Sequence, residues 1–265
     1  MTGDEIIENY NYYNEDNRLK DAYGMMEETH TRRLILKNID SASSIIFDIG
    51  AGTGPYSIWL AELGHKVHYS DIVPKHVDLF RSRHGMAGNI LSIGVEDARH
   101  LGYKDNLADV IILNGPLYHL PAKNDRIQVL KEAKRVLKPN GRLLGFTISR
   151  FAGLHYALSS GEVFNDHYFN MVLHEIETGT RDNRDLKNKT FITAYFHTLE
   201  EIEAEFTEAG LTIAYSAGVV GPAWNTPGLA DAIKEDAKKE RLLSIAALME
   251  KYPMQSPKIM TVGIK

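Results

Sequence analysis

The chain has no cysteine among its 265 residues, which excludes disulfides, thiolate zinc sites and a cysteine nucleophile. It has no excess of positive charge either. Thirty Lys and Arg stand against 35 Asp and Glu, a formal net charge of −5. That balance argues against a broad phosphate-binding face, because nonspecific nucleic-acid affinity comes mainly from clustered Lys and Arg. No apolar run reaches the roughly 18 residues needed to span a bilayer. The opening MTGDEIIENYNYYNED lacks the basic segment and apolar stretch of a secretion signal. A cytoplasmic protein without membrane or nucleic-acid partners is therefore expected. Hydrophobic residues make up 43% of the chain, enough for one substantial core, or a core with a small cap.

What is present centres on residues 45–54, IIFDIGAGTG. Ile45, Ile46, Phe47 and Ile49 read as a strand enclosed in a parallel sheet, being apolar and β-branched or aromatic. Asp48 sits within it, and Gly50, Gly52 and Gly54 follow. Glycines this dense suit a sharp turn over a ligand, since they accept positive φ and place no Cβ between backbone and cofactor. Pro55 suits the first turn of the next helix. The spacing half-matches a dinucleotide fingerprint, whose third glycine falls three residues after the second. A nicotinamide oxidoreductase is thus a rival from another class.

Helix and strand signals then alternate. Residues 1–40 look helical, with Met26, Leu34, Leu36 and Ile39 as core contacts. Tyr10, Tyr12, Tyr13 and Tyr23 are dense there, and either lay aromatics on the core or form a lid whose rings attract a cationic ligand. Arg18 could meet a carboxylate bidentately. A helix over 56–63 stops at Gly64, and a short strand, KVHYSD, ends on Asp71. A carboxylate there can accept ribose hydroxyls or cap a helix. A strand over 90–95 leads to Glu96, Asp97 and Ala98. The strand 109–114 opens into Gly115, Pro116, Leu117, Tyr118, His119 and Leu120, a loop that faces the carboxyl rim where open parallel sheets bind ligands. His119 could act as a general base or be a structural histidine. Ile127, Leu130, Ala133 and Leu137 mark a helix, and the turn Lys138 to Gly141 leads into a strand over 142–148.

Residues 150–190 interrupt this rhythm with clustered aromatics and His155, His167 and His174. Those spacings lack a metal-ligand pattern, so no metal is expected. Thr198 with Glu201 forms a capping box, a sixth strand covers 211–220, a long helix 229–251, and a last strand 259–264.

IIFDIGAGTG, Asp71, EDA at 96–98, LNGPLYHL and VLKPNGRLL together resemble the class I S-adenosylmethionine-dependent methyltransferases, closest to the stand-alone small-molecule, methyltransferase-11/25-like group. The resemblance covers roughly 45–265. It implies an α/β, doubly wound, Rossmann-like seven-stranded sheet with an antiparallel last strand, a helical lid over 1–40, a core of 41–149 and 191–265, and a substrate cap over 150–190. It implies S-adenosyl-L-methionine as cofactor, with Asp48, Gly50, Ala51, Gly52, Gly54, Tyr56, Asp71, Ile72, Asp97, Ala98, Asn114, Tyr13 and Arg18 around it. Asp71 would take the ribose and Asp97 the adenine, Glu96 being the alternative. His119, Tyr118 and Tyr13 would serve catalysis. Asn114-Gly115-Pro116-Leu117 departs from the Asn/Asp-Pro-Pro-aromatic pattern of the branch that methylates planar amides and base amines. The expected reaction is in-line methyl transfer to a nitrogen or oxygen of a small molecule. A non-catalytic module that only binds the cofactor is the other rival.

Overall fold

The computed structural model describes residues 3–12, 15–86, 88–183 and 193–265. Two helices, α1 (Gly3–Tyr12) and α2 (Ala22–Leu36), precede the sheet, with a helical turn at Glu15–Asn17 between them. Asp21 caps α2, its carboxylate accepting from the Gly24 N–H at 2.7 Å. Met26 and Leu34 are buried as expected. Leu36 is not: it is 45% exposed, and Ile35 takes the core position, so the inward stripe of α2 runs one residue off the expected one.

The chain then alternates strand and helix: β1 (Ile45–Ile49), α3 (Pro55–Glu62), β2 (Lys66–Asp71), α4 (Pro74–His84), β3 (Ile90–Val95), β4 (Ala108–Leu113), α5 (Pro116–His119), α6 (Lys123–Val136) and β5 (Leu137–Ser149). The expected 115–120 loop contains the single helical turn α5. The expected turn at 138–141 lies within β5, whose pairing with β4 shifts register there and whose Asn140 has φ 65°. Next come α7 (Ala152–Ser160), α8 (Asp166–Thr178), β6 (Thr180–Asp182), β7 (Thr193–His197), α9 (Leu199–Glu208) and β8 (Thr212–Gly218). The final elements are α10 (Leu229–Ala232), α11 (Asp236–Met249) and β9 (Lys258–Ile264), so the single helix expected over 229–251 is two.

Strands β3-β2-β1-β4-β5 run parallel. β9 enters antiparallel between β5 and β8, which is the expected order of the seven core strands. A hairpin of β6 and β7 adds two more, β7 pairing in parallel with the last two residues of β5, Ile148 and Ser149. Alternation along β1 sends Ile46 into the core on one face, with Leu60, Phe80 and Phe146, and Phe47 into the core on the other, with Val129, Leu130 and Phe206. Each such buried side chain contributes roughly 1.5–3 kcal/mol. Helices on both faces leave the carboxyl rim of the sheet as the open edge. Among the described residues no helix is long and apolar enough to cross a membrane.

Candidate functional site at the carboxyl rim

The glycine loop leaves β1 with Gly50, Gly52 and Gly54 all at positive φ. A Cβ on Gly50 would stand 2.7 Å from Pro116 Cδ, and one on Gly54 only 2.3 Å from Phe80 Cδ2. The first glycine therefore lets the loop after β1 pack against the loop after β4, and the third lets α4 close under α3. The N–H groups of Gly50 and Ala51 donate to Ser70 O at 2.9 and 3.1 Å, and Tyr69 donates to Gly52 O at 2.6 Å. β2 thus fixes the turn from below.

Asp71, at the end of β2, is 5% exposed. Its Oδ2 accepts from the Gly52 N–H at 2.7 Å, while Oδ1 accepts from the Val73 N–H at 2.8 Å and lies 3.3 Å from His76 Nδ1. A carboxylate has about four lone-pair positions, so Asp71 is oriented toward the glycine loop with room left for a further donor. The N-cap reading does not hold: Val73 is the N-cap of α4 and no side chain caps it, while Asp71 accepts from the Val73 N–H and faces the cleft.

Asp97 also faces the cleft, clamped by Arg99, whose Nε and terminal nitrogen donate to its carboxylate at 3.1 and 2.6 Å. Burial works to raise the Asp97 carboxyl, but these hydrogen bonds hold it below the usual value. Glu96 accepts instead from the Gly102 N–H at 3.2 Å.

One cleft of about 830 Å³, open solvent included, gathers these groups. Asp48, Gly50, Ala51, Gly52, Tyr56, Asp71, Ile72, Asp97, Ala98, Asn114, Arg18, Tyr118 and His119 all line it. Gly54 does not; it stands behind the wall against Phe80. Tyr13 lies outside the described residues, as does the side chain of Tyr12. Arg18 is engaged by Glu15 and, at 2.8 Å, by Glu27, which in turn accepts from the buried Lys258 at 2.8 Å. Tyr23 packs edge-on against Trp224, centroids 5.9 Å apart, as a core aromatic.

Two buried oxygens on this wall, Asp48 Oδ1 and Asn114 Oδ1, have no hydrogen-bond partner among the described residues. Asp48 Oδ2 accepts from Ser57 at 2.6 Å, yet burial pushes the carboxyl up to about 6. Buried acceptors of this kind are met by donors from a ligand or from ordered water, and the ammonium and hydroxyls of S-adenosylmethionine are such donors. The residues present therefore fit that cofactor. Burial lowers His119 to about 4, so its imidazole is neutral at neutral pH. Its Nε2 lies 2.8 Å from the Tyr10 hydroxyl.

Tyr10, one of the tyrosines expected to form a lid, lines the cleft, and so do His76, Glu15 and Arg99, which the sequence does not single out. Arg99 had a local signal, two residues after an acid. The others meet the site across the fold, where no spacing announces them.

Residues 47–145 match a family described as a methyltransferase domain. The chain is similar to the methyltransferase GfsG of Streptomyces halstedii, 34% identical over 119 residues, 44% of this chain and 42% of that protein. It is also similar to a probable tRNA methyltransferase 9B of Bos taurus, 35% identical over 103 residues, 38% of this chain and 20% of that protein. The chain spans less than half the length of these curated relatives. In fold it is similar to a crystallised S-adenosylmethionine-dependent methyltransferase of Methanosarcina mazei, with a TM-score of 0.61 at 20% identity over 88% of this chain and 96% of that one.

Proposed function

We propose that residues 47–145, which match a family described as a methyltransferase domain, belong to a class I S-adenosylmethionine-dependent methyltransferase, and that the chain moves a methyl group from S-adenosylmethionine to a nucleophilic nitrogen or oxygen of a small molecule by in-line displacement. The observation that carries this reading is the convergence of the glycine loop, Asp71, Asp97, and Asn114 with His119 on one cleft from four separate places in the chain, the ends of β1, β2, β3 and β4.

When bound, the cofactor supplies a methyl group on a cationic sulfur, already activated for displacement. The work left to the protein is positioning, with reacting atoms about 3–3.5 Å apart. The backbone of Gly50 to Gly52 borders the methionine portion, with Asp48 and Asn114 offering acceptors to its ammonium. Asp71 receives a ribose hydroxyl, and Asp97 with Ala98 faces the adenine. Gly54 supports the loop by packing rather than by touching the ligand. Arg18 would meet the cofactor's carboxylate, and Tyr118 and His119 would face the acceptor. In this reading residues 1–40 serve as a lid and 150–190 as a cap over the substrate; from the first range Ile6, Tyr10, Glu15 and Arg18 line the cleft.

A small acceptor is favoured by the net charge of −5, which gives little attraction to a polyphosphate backbone. The relative named as a tRNA methyltransferase makes RNA the alternative to be tested.

The test is calorimetric titration with S-adenosylmethionine, S-adenosylhomocysteine and NAD, followed by radiolabelled methyl transfer to metabolite pools and, separately, to tRNA and rRNA. Cofactor binding with label in the metabolite pool is the expected result. Label in RNA alone would overturn the small-molecule reading. Binding without transfer to any pool would leave a cofactor-binding module, and binding of NAD alone an oxidoreductase.

A further inference from the structure

Tyr10 and His119 are 109 residues apart in sequence, yet their side chains meet inside the cleft. The Tyr10 hydroxyl is 2.8 Å from His119 Nε2, and the two rings meet edge to face with centroids 5.5 Å apart. Tyr10 also meets His76 edge to face at 5.2 Å, and His76 lies against Asp71. The phenol is thus fixed between the ribose side of the cleft and the imidazole.

Resting on the methyl-transfer reading above, we propose that Tyr10 is a catalytic residue: its hydroxyl takes the acceptor's proton while handing its own proton to His119 Nε2. The argument is geometric. Nε2 is already occupied by the Tyr10 oxygen, so a nucleophile reaches the imidazole through the phenol. A hydroxyl has one donor and two acceptor positions, and can donate to Nε2 while accepting from the nucleophile.

The transfer balances. The nucleophile forms a bond to the methyl carbon, and the electron pair of the methyl–sulfur bond stays on sulfur. The nucleophile's X–H bond breaks, its proton passes to the Tyr10 oxygen, and the Tyr10 proton passes to Nε2. The positive charge that leaves sulfur ends on imidazolium, which gives its proton to solvent once product has gone.

The surroundings suit this role. Burial keeps the phenol well above its usual value, with Tyr118, Glu15 and Asp71 acting in the same direction and Arg18 against them. Tyr10 is therefore protonated, and acts as a relay rather than as a standing phenolate. His119 is neutral beside it and free of charge to lose.

The test uses Tyr10→Phe, His119→Gln and the double variant. In the full-length protein, imidazole nitrogen NMR should show the His119 Nε2 resonance moving when Tyr10→Phe removes the hydroxyl. On the acceptor pool identified by methyl labelling, each single variant should lose roughly a hundredfold in turnover, and the double should lose no more than either. Affinity for S-adenosylhomocysteine should stay within about twofold in all three, and multiplicative losses in the double would mark independent roles. An unmoved resonance, retained turnover in Tyr10→Phe, or multiplicative losses overturns the relay. A wild-type protein that binds no S-adenosylhomocysteine but keeps the resonance shift overturns the methyl-transfer reading instead.

Discussion

Asp48 is charged at neutral pH in a place that opposes charge. Burial raises its carboxyl from 3.8 to about 6, so the folded state favours the protonated form more than the unfolded state does. The corresponding penalty is absent below about pH 4, grows as pH rises through 6, and reaches about 3 kcal/mol above it. Asp48→Asn, which mimics the protonated acid, should therefore stabilise the unliganded protein at pH 7.5 by up to that amount. The gain should vanish near pH 4, as read by denaturant unfolding across pH. A gain independent of pH would contradict the assignment. The same variant should bind cofactor less tightly, because the ammonium loses an anionic partner.

At this scale the sequence was informative where chemistry is local. The acid, the alternating glycines and the acid closing β2 keep fixed spacings, and all but Gly54 reach the cleft. Gly54 shares the pattern for another reason, since Phe80 occupies the volume its side chain would fill. Gly54→Ala combines that overlap with φ 84°. It should cost at least about 1–3 kcal/mol, the usual penalty of overpacking, measured as a lower denaturation midpoint with an unchanged slope. His76, Glu15 and the pairing of Tyr10 with His119 are hidden in the sequence because their partners are brought to them only by the fold.

Among the elements, α9 shows why some contacts read easily and others not. Its capping box is present as the sequence implied, Thr198 Oγ1 accepting from the Glu201 N–H at 3.3 Å and Glu201 accepting from the Thr198 N–H at 2.9 Å. Its buried salt bridge was invisible. Arg126 on α6, 1% exposed, donates to both oxygens of Glu205 on α9 and to the carbonyls of Leu120 and Pro121, just past His119. Its guanidinium also lies 3.7 Å over the Tyr195 ring on β7. One side chain thus fastens α6, α9, β7 and the loop that carries His119. Arg126→Met should destabilise by about 3–5 kcal/mol, because it leaves the buried Glu205 carboxylate with only the 3.4 Å contact to His197 Nε2. Arg126→Met with Glu205→Leu should recover much of that loss, with both effects read by chemical unfolding. The β6 and β7 strands escaped the sequence reading because they are only three and five residues long and lie beside a charged stretch. Helix 229–251 was read as continuous because its composition stays helical, whereas Lys234 and Glu235 leave the helix between α10 and α11.

For the whole molecule, the alternation of apolar strands and amphipathic helices implied the parallel sheet, and the antiparallel place of β9 followed from the resemblance rather than from any period in the residues. The β6–β7 hairpin extends that sheet at the rim beside the loop that bears His119, while the residues lining the cleft all come from Ile6 to Leu120. The account rests on this rim holding an adenosyl cofactor. The most direct test is calorimetric titration of S-adenosylhomocysteine into wild type and Asp71→Ala. The account predicts one site per chain in the wild type and about ten- to a hundredfold weaker binding in the variant, the worth of a lost charged hydrogen bond. No heat from the wild type, or equal affinity in the two proteins, would contradict it.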